Sequence, residues 1–232
     1  MYAREVGPQT LTFGVSGMLY KDALIMFDRE TENLWTQVDG RSIEGSFEGH
    51  QLKVVPAIHA TWKQWKRLYP ESQVLRKGGR TPSAYAAYNR SGDLGIFGRR
   101  NLDARLDGKT RILGVVNDGA SIAFPVEDTR RAGLVQVDVG VQSIVLIATS
   151  ESLPILAYDR TVAGRTLTFE VLDDEPLQVR DVETGTLWDI REGIGTAGPF
   201  AGQRLRRVAA HSAFWYGWRG YYPATDVWMP ER

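Results

Sequence analysis

Short runs of β-branched and aromatic residues alternate with turns rich in Gly, Asp and Asn along most of the chain. Runs of this kind predict β-strands, because branched and aromatic side chains pack well on a pleated surface. The predicted strands are residues 10–15, 23–28, 33–38, 51–56, 112–116, 120–124, 135–139, 142–148, 154–159, 166–171, 177–181, 186–190 and 204–209. The pattern indicates an α+β protein in which β-structure predominates and helices are few and short.

Helical periodicity occurs in three short segments. VEDTRRAG follows Pro125 and ends at Gly133, with acidic residues early and arginines late, as a short helix prefers. Two further segments place aromatic residues on one helical face, Trp62, Trp65 and Tyr69 in the first and Trp215, Trp218 and Tyr222 in the second. Because the same face occurs twice, we expect these aromatic side chains to pack in the core.

The chain matches itself when Asp28 is set against Asp181. This alignment sets ETENLWTQVDG against ETGTLWDIREG and runs without a gap to Val74, with far more identities than composition alone would give. Upstream, TLTF occurs in both copies, and the first copy carries an insertion within GVSGMLYKDALIMF. The match predicts two homologous β-rich halves that arose by internal duplication.

The repeat also predicts how the chain is divided. Residues 1–75 form the first repeat, residues 76–110 a Gly- and Arg-rich irregular connector, and residues 111–232 the second, complete repeat. The first repeat starts at the residue that matches Tyr158, so we expect it to lack the strands that 111–157 supply to the second. An uncovered strand edge invites another chain. Either residues 111–157 cover that edge within one chain, or two chains pair edge to edge. We expect a homodimer with the first repeat near its interface, with a self-contained monomer as the alternative.

Composition excludes several classes of partner and site. Lys+Arg and Asp+Glu both count 28, so no global field attracts nucleic acid or an anionic membrane surface. The most apolar run, VQSIVLIA, is too short to span a bilayer, and the N-terminus lacks the pattern of a signal peptide. We expect a soluble chain, with no compartment assigned. The lack of cysteine excludes disulfides, thiolate metal sites and a cysteine nucleophile.

Two long stretches carry a resemblance to a known family. LTFGVSGMLYKDALIMFDRETENLWTQVDGRSIEG with WKQWKRLYPESQVL, and later RILGVVNDGASIAFPV with FWYGWRGYYP, resemble the family called domain of unknown function 3179 over nearly the whole chain. The resemblance implies a fold but no activity, since none is established for the family. It also implies a Cys-Pro-Leu-Cys segment before the point that matches the start of this chain, and proteins that are often exported. That segment is not in this sequence, so no role of its cysteines is carried over.

Reactive side chains that occur only in the first repeat indicate where a specific function lies. They include Ser16, Tyr20 and Asp22, in or beside the insertion, together with Arg29 and His59. The second repeat has valine at the position of Arg29 and serine at the position of His59. These differences are where we expect the halves to differ in function.

Three carboxylates of the first repeat, Asp22, Asp28 and Glu30, are candidates for general acid and base. On a strand Asp28 and Glu30 face the same side, and a cleft that raised the pKa of one of them would give an acid/base pair. The alternative is that DRETEN is a turn at a strand end, with Asp and Asn side chains bonding the local backbone.

Ser16 and the histidines do not complete a recognised catalytic motif. Ser16 lies in GVSGM, which lacks the second glycine of a nucleophile elbow, so a Gly-rich turn is the alternative. His50, His59 and His211 show no metal-ligand spacing. No metal and no cofactor is predicted.

Two functional hypotheses follow. In the first, the protein binds a small polar ligand or a glycan in the cleft between the repeats, with Tyr20, Arg29 and Trp35 contacting it. In the alternative, it is a hydrolase of glycosides, esters or phosphoesters, with the three carboxylates as general acid and base and Ser16 or His59 assisting. The sequence favours binding, because no catalytic constellation stands out, and it leaves enzyme activity open.

Overall fold

β-Strands dominate the computed structural model, which describes residues 1–75, 86–95, 103–172 and 176–230. Within these ranges the strands form six small sheets, and four short helices occur. The α+β class with predominant β-structure is confirmed. Residues 76–85 and 96–102 of the predicted connector lie outside the described ranges.

The N-terminal part, residues 1–75, contains a two-stranded hairpin and a four-stranded antiparallel sheet. Its strands are the hairpin β1 (Glu5–Val6) and β2 (Gln9–Thr10), then β3 (Phe13–Tyr20), β4 (Ala23–Asp28), β5 (Leu34–Thr36) and β6 (Ser42–Glu44). Strands β3 to β6 pair in chain order. Lys21 and Asp22 join β3 to β4 with φ angles of 49° and 65°, the left-handed conformation that a two-residue hairpin turn of type I′ requires at both positions.

Two short helices follow that sheet, α1 (Trp62–Leu68) and α2 (Ala86–Arg90). Helix α1 begins with a capping box, in which the Thr61 side chain accepts from Gln64 N and the Gln64 side chain accepts from Thr61 N. Leu68 is the buried residue of α1, whereas Trp62 is 49% exposed. The prediction that Trp62 packs in the core is therefore wrong, because the helix turns this ring toward solvent.

The C-terminal part, residues 111–232, starts with two sheets joined by a helix. Its first elements are β7 (Arg111–Asn117), β8 (Ala120–Pro125), α3 (Val126–Ala132), β9 (Leu134–Val139), β10 (Gln142–Ile147) and β11 (Leu156–Asp159). Strands β9, β10 and β11 form an antiparallel sheet in chain order. Helix α3 has acidic residues in its first turn and arginines in its last, which complements the helix dipole as predicted.

The remaining strands form a two-stranded hairpin of β12 and β13, a four-stranded sheet, and two strands that flank the β7–β8 hairpin. They are β12 (Thr161–Val162), β13 (Arg165–Thr166), β14 (Phe169–Val171), β15 (Gln178–Asp181), β16 (Leu187–Asp189) and β17 (Ile194–Ala197), then β18 (Ala210–Phe214), α4 (Trp215–Tyr221) and β19 (Asp226–Val227). Strands β14 to β17 pair in chain order, and a further sheet has the order β18-β7-β8-β19. Trp215 and Trp218 of α4 are buried against the latter sheet, as predicted.

The β3–β6 and β14–β17 sheets share their strand order and several hydrogen bonds. Trp35 Nε1 donates to Asp28 Oδ2 at 2.9 Å, and Trp188 Nε1 donates to Asp181 Oδ2 at 2.8 Å. This likeness is what a duplication would leave, while the duplication itself stays a prediction about the origin of the chain.

Two predicted strands, 51–56 and 204–209, form only isolated bridges. In the first, Leu52 N donates to Gly40 O while Val55 N donates to Met1 O. In the second, Leu205 N donates to Gly193 O, while Val208 N donates to Ala157 O. Each segment crosses from one neighbour to another, so the backbone is extended but no continuous ladder forms.

Gly114 on β7 leaves room for the ring of Trp218, and this contact gives a test of the packing. A Cβ atom at this position would lie 2.3 Å from the buried indole. Gly114→Ala is expected to lower the free energy of unfolding by about 1–3 kcal/mol, because a packed core resists added volume. Urea denaturation measures the loss.

Gly217→Ala is the matched control for that substitution. Gly217 lies inside α4 with open space where a Cβ atom would lie, so alanine there should be neutral or stabilise the helix by up to about 1 kcal/mol. A Gly114→Ala protein as stable as Gly217→Ala would contradict the packing argument.

Candidate functional site

Asp28 is the buried last residue of β4, and its carboxylate faces the turn that follows. Its carboxylate accepts from Thr31 N at 2.6 Å, Thr31 Oγ1 at 2.7 Å and Trp35 Nε1 at 2.9 Å. Burial acts to raise the pKa of Asp28, but the hydrogen bonds from Thr31 and Trp35 outweigh it and hold the pKa below its ordinary value. All these partners are within seven residues, so the carboxylate stabilises its own turn.

The Glu30 carboxylate bonds a main-chain amide that lies further away in the chain. Its exposed carboxylate accepts from Thr12 N at 2.7 Å, and this hydrogen bond lowers the pKa of Glu30. Glu183, its aligned residue, accepts from Thr168 N at 2.8 Å in the same way. The DRETEN segment thus has the local bonding that the turn alternative describes.

Asp22 lies far from Asp28. The two residues occupy opposite ends of β4, and six residues of extended chain span about 20 Å. The Asp22 turn instead meets α4, where Tyr221 Oη donates to Tyr20 O at 2.8 Å. Lys21 Nζ lies 5.5 Å from the centroid of the Tyr20 ring and 5.3 Å from that of Tyr221. The inserted turn joins the N-terminal and C-terminal parts.

The remaining predicted residues of the first sheet are also separated from one another. Ser16 lies at a bulge of β3, where its Oγ donates to Ile25 O at 2.7 Å and accepts from Met18 N at 3.1 Å. Arg29 is exposed, with its guanidinium 5.4 Å from the centroid of the Phe27 ring. Trp35 is fully buried. Trp35 bonds Asp28, whereas these contacts of Ser16 and Arg29 involve no predicted carboxylate. The functional roles of these residues stay predictions.

His59 lies in a cavity of about 280 Å³ between the N-terminal and C-terminal parts. We call it the interface cavity. Its walls are His59, Ala60, Thr61, Gln64, Arg111, Leu113, Val126, Arg130, Ile155 and Ser212. Ser212 is the residue that the self-alignment sets against His59. The cavity therefore lies where matching segments of the two parts meet.

The β10–β11 loop fixes one wall of the interface cavity. Gln64 Nε2 donates to Leu153 O at 3.1 Å and to Glu151 O at 3.2 Å. The Arg130 guanidinium donates to the same Leu153 carbonyl at 3.1 Å and to Ser150 O at 3.2 Å. One carbonyl thus ties helix α1 to helix α3, and both side chains are held in place by the main chain.

The two charged residues in the walls of the interface cavity have one sign, although both also line a larger neighbouring cavity of about 1110 Å³ whose walls include Asp107, Glu127, Asp128 and Glu151. Arg111 and Arg130 contribute two guanidinium groups, and no carboxylate belongs to the wall residues. Arg111 is exposed at the first position of β7 and forms no ion pair with any residue in the described ranges. Leu113, Val126 and Ile155 add an apolar surface. The arrangement suits an anion that carries an apolar portion.

A smaller space of about 140 Å³ lies further along the same interface, with Tyr2, Asp39, His211 and Tyr222 among its walls. Burial lowers the pKa of His211, and the positive charges of the terminal amine and His59 add to that effect. Burial also raises the pKa of Tyr222 to about 12. Because the Asp39 carboxylate belongs to its walls, this space is less suited to an anion than the interface cavity.

Sequence reasoning identifies His59 but not Arg111 or Arg130. Neither arginine belongs to a motif, since one begins a strand and the other lies in the last turn of a helix. The self-alignment is the one sequence feature that points to the cavity, because it sets His59 against Ser212 and both residues line it. No comparable signal identifies the arginines.

Metal sites and membrane spans are two further features that would bear on function. Within the described ranges no group of three or more His, Asp or Glu side chains could hold a metal ion. The helices there are all too short or too polar to cross a membrane.

Comparison with known proteins gives one match. A family model described as "Protein of unknown function (DUF3179)" matches residues 1–225. No curated protein and no solved structure matches the chain.

Proposed function

Because the chain belongs to the DUF3179 family of proteins of unknown function, its activity must follow from its own geometry, and we propose that it binds a small organic anion in the interface cavity. The observation that carries the proposal is a pair of guanidinium groups, Arg111 and Arg130, in a cavity whose walls contain no carboxylate. Guanidinium forks recognise carboxylates and phosphates through paired, charge-assisted hydrogen bonds.

The two arginines have different roles in this proposal. Arg130 is held by the carbonyls of Ser150 and Leu153, so its charge is fixed in position before any ligand arrives. Arg111 is exposed and has no described ionic partner, so it is free to close on the anion. The imidazole of His59 and the hydroxyl of Ser212 supply further polar contacts.

The dimensions and the apolar wall restrict the ligand. A volume of about 280 Å³ lies at the lower end of the range for small-molecule sites. Leu113, Val126 and Ile155 favour an apolar group on the anion. The structure supports a glycan ligand less well, because no Trp, Tyr or Phe belongs to the walls of the cavity. The structure also gives the hydrolase alternative less support, since Asp22 and Asp28 lie at opposite ends of β4.

Calorimetric titration with benzoate and phenyl phosphate tests this proposal, with benzamide as a neutral probe of similar shape. We expect the anions to bind and benzamide to bind far more weakly. Arg111→Gln should weaken anion binding about tenfold or more, because a hydrogen bond to a charged group contributes about 1.5–3 kcal/mol.

Arg41→Gln is the matched control, since Arg41 is an exposed arginine outside the cavity. It should leave the affinity unchanged. Equal binding of benzoate and benzamide, or equal losses in Arg111→Gln and Arg41→Gln, would contradict the proposal.

A further inference from the structure

Strand β3 forms an edge of the first sheet and exposes large apolar side chains. Val15, Met18, Leu19 and Tyr20 are all exposed, Val15 most of all at 66%. The strand reads FGVSGMLY, with no charged residue and no proline. Natural proteins usually protect an edge strand with lysine, proline or a covering element. Edge strand β3 contains no lysine or proline, and its one protective feature of this kind is the bulge between Val15 and Leu19.

The matching strand of the C-terminal part shows how such an edge is covered. Phe169 of β14 is bonded on its outer side by the amide of Gln136 from β9. Phe169 N donates to Gln136 Oε1 at 2.8 Å, and Gln136 Nε2 donates to Phe169 O at 3.1 Å. The aligned residue in the N-terminal part is Phe13. No side chain in the described ranges bonds the main chain of Phe13, so among those residues β3 has no counterpart of the cover that β9 gives β14.

The chemistry of β3 favours a second copy of the same strand as its cover. In an antiparallel pair about a two-fold axis, a strand meets its own sequence in reverse. Like charges directly opposite one another destabilise such a pair. The uncharged run from Phe13 to Tyr20 avoids that penalty in every register and buries its own apolar side chains.

We propose that the chain forms a homodimer in which β3 of one protomer pairs antiparallel with β3 of its partner. The two four-stranded sheets then continue into one another across the two-fold axis. Backbone hydrogen bonds supply the register, and the side chains of Val15, Met18 and Leu19 leave water at the interface.

Light scattering behind a sizing column tests the proposal at micromolar concentrations. The wild-type chain should elute as a species of twice 26.0 kDa. Val15→Lys places like charges near the two-fold axis and should shift the species to the monomer mass. Val171→Lys is the matched control, because Val171 is the aligned residue on β14, is 40% exposed and should leave the dimer intact.

A second variant and a second measurement guard against misfolding. Met18→Lys should also give a monomer, and circular dichroism melting should show that both β3 variants stay folded. Amide hydrogen exchange in residues 13–20 of the wild type should slow as the concentration rises. A wild-type chain that is monomeric at all concentrations would overturn the proposal. So would a dimer that persists in both Val15→Lys and Met18→Lys, or one that Val171→Lys disrupts to the same extent.

Discussion

Replacing Trp188 with alanine is expected to lower the free energy of unfolding by about 3–5 kcal/mol. The indole is fully buried, and its ring meets Phe169 edge to face at a centroid distance of 6.2 Å. Its Nε1 donates to the buried carboxylate of Asp181 at 2.8 Å, so truncation opens a cavity and removes a hydrogen bond together. Trp35→Ala should cost a similar amount, because Trp35 is equally buried and bonds Asp28 in the same way.

Urea denaturation followed by circular dichroism measures both losses without depending on tryptophan fluorescence. His59→Ala is the control, because His59 is exposed and its substitution should change the free energy of unfolding by less than about 1 kcal/mol. A loss in His59→Ala as large as that in Trp188→Ala would show that the aligned tryptophans have no special part in stability.

Asp28→Asn is expected to lower the free energy of unfolding by about 2–3 kcal/mol at neutral pH. Both carboxylate oxygens accept hydrogen bonds, Oδ1 from Thr31 and Oδ2 from Trp35. An asparagine amide has one oxygen, so its NH₂ group must face one of these donors. Asp181→Asn should cost a similar amount, because Asp181 accepts the corresponding bonds from Thr184 and Trp188.

The stability contributed by Asp28 should also depend on pH in a defined direction. The fold lowers the pKa of Asp28, so this contribution is complete above the unfolded pKa of about 3.9 and is lost as pH falls through the folded value. The difference between wild type and Asp28→Asn should therefore shrink in strong acid. Urea midpoints at neutral and at strongly acidic pH measure it. A difference that stays constant over that range would contradict the role of the ionised carboxylate.

Most of the fold is predictable because its signals are local. The Lys21–Asp22 turn is flanked by apolar strand residues, and helix α3 is bounded by Pro125 and Gly133. The prediction of strands at 51–56 and 204–209 is wrong, because an extended apolar run has the same pattern whether or not it finds one continuous partner.

Helix α1 shows a second limit of local reasoning. Trp62 and Trp215 are aligned and share the same helical pattern, yet Trp62 is 49% exposed and Trp215 is fully buried. The difference arises because α4 packs against a sheet. The residues next to Trp62 in the sequence do not indicate whether a sheet will cover its helix. Burial of a helical face depends on distant segments.

The interface cavity is less predictable for the same reason. It combines His59, Arg111, Arg130 and Ser212, which belong to four separate elements or loops. Periodicity and short motifs report neighbours along the chain, whereas these groups become neighbours only after the strands have paired. The sequence points instead to Asp28, because several polar and charged residues lie next to it in the chain. In the structure, that segment is a turn.

The position of β18 beside β7 has a consequence for synthesis on the ribosome. Strand β7 ends at Asn117, and its partner β18 is complete only at Phe214, roughly a hundred residues later. At translation rates of about 5–20 residues per second, the outer edge of β7 waits about 5–20 s for its partner. Strands β3 to β6 pair in chain order and need no such delay. The nascent chain therefore carries an apolar strand with one unpaired edge for seconds, and this is the interval in which chaperone binding would protect it most.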